Sequence, residues 1–127
     1  MATWDEVRTI AGELPGIQAR GNEWRVRNNL VAWERPLRKS DFEALGDDAP
    51  DGDILAVWLP DLAAKESLLT DDPAVYFTTP HFDGYRVILI RLEDASAGEL
   101  EELIIEAWTD RAPKRLSGPY LESRGSR

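Results

Sequence analysis

The chain has no cysteine, one histidine and one methionine among 127 residues. Without a thiol there is no disulfide, no thiolate nucleophile and no zinc site built on sulfur. A single imidazole excludes a histidine-rich metal centre. Long apolar runs are missing too: Ile54 to Leu59 gives six residues and Val87 to Ile90 four, where a bilayer crossing needs about twenty. Residues 1–14 are charged and amphipathic, without the basic start and apolar middle of an export signal. A cytoplasmic protein with no membrane partner is expected. Gly12 and Gly16 lack the strand–turn–helix setting of a phosphate-binding loop, and no cofactor is expected.

The remaining composition is that of one ordinary domain, 43% hydrophobic and 31% charged. A chain of this length buries roughly two-thirds of its unfolded surface. No repeat or low-complexity block divides it. One domain is expected over residues 1–116, followed by a flexible tail over 117–127, where Ser, Gly and Arg dominate.

Helix signals recur along the chain. Thr3 and Glu6 have capping-box spacing, followed by an apolar face of Val7, Ile10, Ala11 and Leu14, until Pro15-Gly16 breaks the pattern. Ser40 with Glu43 suggests a short helix to Leu45. Asp61 to Leu69 suggests another, and Ser96 caps a last one with Leu100, Leu103, Ile104, Ala107 and Trp108 as its buried stripe.

Strands lie between them. Residues 23–27 and 30–34 flank Asn28-Asn29, which suits a two-residue turn. That turn would pair Val26 with Val31 and Trp24 with Trp33 on one face. Residues 54–59, 75–78 and 85–92 are further strands, the last two joined by a loop through His81. The order implies an α+β fold: an antiparallel sheet of about five strands with helices packed on one face.

Chemistry has few candidates. His81, beside Thr78, Thr79 and Asp83, would serve as a base only if buried next to a carboxylate. Otherwise it is an ordinary turn histidine, and no catalytic residue is assigned. Asp47, Asp48, Asp51 and Asp53 are oxygen-rich but lack calcium-loop spacing, so no metal site is assigned. The five tryptophans suit a core better than a base-stacking platform.

Charge is more informative. The net charge of -9 disfavours nucleic acid, but it is unevenly spread. Residues 20–40 carry +4, with Arg20, Arg25, Arg27, Arg35, Arg38 and Lys39 against two acids. Residues 111–127 also carry +4, from Arg111, Lys114, Arg115, Arg124 and Arg127 against Glu122. Residues 41–110 carry -15. If the two islands meet, they form a patch suited to phosphates, whose binding would be weak and salt-dependent. If not, Arg25 and Arg27 solvate a hairpin and pair with nearby Glu.

Three stretches together carry a family resemblance. They are Glu13-Leu14-Pro15-Gly16, Thr79-Pro80-His81-Phe82-Asp83-Gly84-Tyr85, and Ala107-Trp108 with Ala112-Pro113-Lys114-Arg115-Leu116. In order and spacing they resemble the bacterial MmcQ/YjbR-like family, over about Trp4 to Leu116. The resemblance implies a frataxin-like (CyaY-like) α+β fold and a DNA-binding role through two hairpin wings. Arg25, Arg27, Arg20 and Arg35, around Asn28-Asn29, would then reach phosphates from the first wing. The second wing, through His81 and Asp83, has an acidic tip and little positive charge before Arg86. Iron binding, which the frataxin relationship would suggest, is not expected, because the first helix offers only Asp5, Glu6 and Glu13. A second reading is a non-enzymatic protein- or small-molecule-binding module. Its groove would run between the loop of His81, Phe82, Asp83 and Tyr85 and the Lys114-Arg115 segment. A monomer is expected.

Overall fold

A computed structural model describes residues 2–125. The chain runs α1 (Trp4–Gly12), β1 (Ile17–Ala19), β2 (Glu23–Val26), β3 (Asn29–Glu34), α2 (Lys39–Leu45), β4 (Ile54–Trp58), α3 (Leu62–Asp71), β5 (Tyr76–Phe77), β6 (Val87–Arg91), α4 (Ala97–Arg111) and α5 (Lys114–Gly125). The strands form one antiparallel sheet in the order β1-β2-β3-β4-β6-β5. The fold is α+β, with six strands rather than about five.

Most helix starts follow the caps read from the sequence. Thr3 accepts from the Glu6 N–H and Glu6 accepts from the Thr3 N–H, closing the box at α1. Ser96 accepts from Glu99 N at 3.2 Å, while Asp61, expected inside its helix, caps it and accepts from Ala64 N at 2.7 Å. At α2 the cap shifts: Asp41 accepts from the Arg38 N–H at 2.8 Å, so the helix begins at Lys39 rather than Ser40.

The first long hairpin turns one residue earlier than expected. Arg27 (φ 50°) and Asn28 (φ 69°) occupy the positive-φ turn positions, and Val26 faces Asn29. With a two-residue turn that shift alone would leave Val31 and Trp33 on the face of Trp24 and Val26. An irregularity between Trp24 and Arg25 changes the alternation, so Trp24 faces Ala32 and Glu23 faces Trp33. Val31 and Ala32, adjacent in sequence, therefore both enter the same core cluster. Trp33 goes to the other face instead of pairing with Trp24.

Alternation along the central strands defines two buried layers. Leu55, Val57, Ile88 and Ile90 face the main core, with Val7, Ala11, Leu100, Ile104 and Trp108 from α1 and α4. Ile54, Ala56, Val87 and Leu89 face a smaller one, closed by Phe77, Phe82, Leu37 and Leu45. Four buried residues in a row on β4 and on β6 reflect this two-sided cover. The larger helices keep to one face, as expected, while α2 and the loop carrying Phe82 cover part of the other.

The expected tail is instead helical from Lys114 to Gly125. Gly118 and Pro119 oppose a helix, but packing outweighs local propensity. Tyr120 meets Trp108 edge-on with ring centroids 5.0 Å apart, and Leu116 packs against the core. Ser126 and Arg127 lie outside the described residues, as does the side chain of Arg124.

Candidate nucleic-acid interface

Strand direction sorts the charges to two ends of the sheet. β3 begins where β4 ends, because Ala32 faces Val57 and Glu34 faces Leu55. β6 begins there too, with Val87 opposite Trp58. The helix α4 also ends there, since Trp108 Nε1 donates to Pro15 O at 2.9 Å in the loop that leads into β1. This end gathers Arg27, Arg86, Arg111, Lys114 and Arg115, with Glu13, Asp61, Asp83 and Asp110 as its acids. The opposite end holds the start of α1 with Asp5 and Glu6, the loop of Asp47, Asp48, Asp51 and Asp53, and Glu93 with Asp94.

A tight contact brings the start of α5 close to the end of β2. Gly16 has φ 76°, and a Cβ built on it would lie 2.8 Å from Leu116 Cδ1 and 3.6 Å from Val26 Cγ2. The first turn of α5 thus lies against β2 immediately before the hairpin turn. Arg27 follows Val26, and Lys114-Arg115 precede Leu116. All three are exposed, as are Asn28 and Asn29.

The other expected site residues are placed differently. Arg25 is half-buried and serves its own hairpin, with Nε 3.1 Å from Glu23 Oε2 and Nη1 donating to Asn28 O at 2.9 Å. It lines a shallow cleft of about 510 Å³ with Gln18, Arg20 and Asn28. Arg20 sits at the far end of β1 from Arg27. Arg38 and Lys39 begin α2, on the face opposite α5.

Arg35 is not available to phosphates. It is 6% exposed and donates from Nη2 to Asp41 Oδ2 at 3.2 Å, with its guanidinium 5.3 Å from the Phe82 ring centroid. An arginine directly after a strand reads as surface in the sequence, but here a buried carboxylate draws it inward. Burial alone would raise the Asp41 pKa. The Arg38 N–H and the Arg35 charge overcome it and hold the carboxyl below its usual value.

The residues expected around a His81 groove are placed in two environments. Phe82 is buried in the smaller core, while His81, Asp83 and Tyr85 are exposed. The His81 ring stands edge-on to Phe82 at 4.7 Å, and no ion pair joins it to a carboxylate among the described residues. Lys65 folds this loop back onto the body, donating from Nζ to Phe82 O and Tyr85 O, each at 2.8 Å. The stretch is a 3-10 turn, Pro80–Phe82, instead of a projecting wing. Among the described residues no group of three or more potential acidic or imidazole ligands could hold a metal ion. None of the described helices is long and apolar enough to cross a membrane.

The basic end also contains a cluster that sequence reasoning missed. Trp58 closes β4, and the guanidiniums of Arg111 and Arg86 lie 4.7 and 6.0 Å from its ring centroid. Arg86 Nη1 donates to Pro60 O at 2.7 Å and lies 3.7 Å from Asp110 Oδ2. Burial and the nearby Arg86 charge lower the Arg111 pKa, with Asp110 opposing them. No spacing rule links residues 58, 86 and 111; the β4–β6 register and the packing of α4 do.

The molecule is thus a small α+β protein built on a six-stranded antiparallel sheet. It belongs to a family that includes uncharacterised proteins of Mycobacterium tuberculosis and Mycobacterium bovis. Each is 51% identical to it over 129 residues, covering 98% of this chain and the whole of the relative. No family model and no solved structure matches the chain.

Proposed function

We propose that this protein binds nucleic acid weakly and in a salt-dependent way, as an MmcQ/YjbR-like protein, with Arg27, Lys114 and Arg115 as the principal phosphate contacts. The observation that supports the reading is the packing of Val26 and Leu116 near Gly16, next in sequence to Arg27 and to Lys114-Arg115. A local cluster can bind phosphates although the chain as a whole is acidic, since screening limits repulsion from the far end to about 10 Å at ordinary salt. Binding comes from phosphate contacts, so little sequence preference is expected. The grip uses one wing, the hairpin of β2 and β3, because Lys65 holds the His81 loop down.

Fluorescence anisotropy of a labelled duplex at low and at moderate salt tests this. Binding at low salt should weaken by about tenfold or more in Lys114→Ala/Arg115→Ala and also in Arg27→Ala. Absence of binding at low salt, or variants that bind like the parent, would contradict it.

A further inference from the structure

We propose that Trp58, Arg86 and Arg111 form a binding site for a single phosphate group, with the Trp58 indole N–H and the Arg111 Nε–H among its donors. Both donors are buried and have no hydrogen-bond acceptor among the described residues. Buried donors are normally satisfied, so two orphans in one cluster point to an acceptor that the protein does not itself supply. The charge is unbalanced in the same sense. Two guanidiniums meet at one indole, and their nearest carboxylate, Asp110, stands 3.7 Å from Arg86, too far for a direct hydrogen bond.

The geometry favours a tetrahedral anion. Its several oxygens can accept from an indole, from one guanidinium and from a second at once, whereas a planar carboxylate offers two oxygens in one plane. Access exists beside Arg86 and Asp110, whose side chains are 38% and 33% exposed. Trp58 ends β4, Arg86 directly precedes β6 and Arg111 ends α4, so sheet register and the packing of α4 on the sheet bring them together. The site shares no residue with Arg27, Lys114 and Arg115, and does not depend on the nucleic-acid reading.

The test follows the Trp58 indole N–H in a nitrogen-15 spectrum, assigned by its loss in Trp58→Phe. Inorganic phosphate is titrated against chloride at matched ionic strength, and a nucleoside monophosphate in parallel. A saturable shift of this resonance is expected, with affinity about tenfold weaker in Arg111→Lys, which keeps the charge but not the fork. Arg86→Gln provides the same test if Arg111→Lys fails to fold. Lys114→Ala/Arg115→Ala should leave the shift unchanged. A response to the nucleotide alone would support the site and identify a phosphate ester as its ligand. No shift with either, or a non-saturating shift equal to that with chloride, would overturn it.

Discussion

Arg35 donates to Asp41 at 3.2 Å with both side chains almost wholly out of water, at 8% and 2% exposure. Losing one partner of such a pair leaves a buried charge unpaired. Asp41→Ala should cost about 3–5 kcal/mol in urea unfolding, and Arg35→Met a similar amount. The double variant Arg35→Met/Asp41→Leu should cost less than either single change, which a double-mutant cycle would show.

The same pair predicts an acid response. The Asp41 pKa is held below its ordinary value of 3.8 in the folded state. Its contribution is therefore present above about pH 3.8 and lost as pH falls through the lower folded value. Below pH 4, unfolding curves of Asp41→Asn should lose stability less steeply than those of the parent.

At the alkaline side, Tyr76 donates to Glu99 Oε2 at 2.9 Å. Burial first, then the Glu99 bond and charge, push its pKa well above 10.0. The unfolded chain releases this proton first, so stability should fall as pH rises past 10. Tyr76→Phe should flatten that decline in a thermal melt series.

Gly16 joins fold and site. Gly16→Ala places a Cβ 2.8 Å from Leu116 Cδ1 and forces an alanine to φ 76°. A destabilisation of about 1–3 kcal/mol is expected in urea unfolding. Because Leu116 must move, the first turn of α5 should also exchange its amide protons faster, which hydrogen exchange would detect.

How far the sequence alone leads depends on scale. The caps at Thr3 and Ser96, and the stripe on α4, are local patterns, and the structure follows them. β1 was not read because Ile17, Gln18 and Ala19 are too few to show alternation. α5 was not read because Gly118 and Pro119 mask a helix that Trp108 and Gly16 hold in place. The two strands of the hairpin were legible but neither its turn nor its register was, because Arg27 takes a positive φ and the irregularity at Trp24/Arg25 sends Trp33 to the other face. Of the site, Lys114, Arg115 and Arg27 could be singled out by charge. The burial of Arg35 and the gathering of Trp58, Arg86 and Arg111 follow from tertiary contacts that no local spacing encodes.

The central claim is that Arg27, Lys114 and Arg115 act together on phosphates. The dependence of duplex affinity on salt tests it most directly, since each neutralised phosphate contributes roughly -0.9 to the slope of log K against log salt. Three contacts predict a slope of about -3, falling to about -1 in Lys114→Ala/Arg115→Ala. A slope that is the same in the variant, or no measurable binding at the lowest salt, would contradict it.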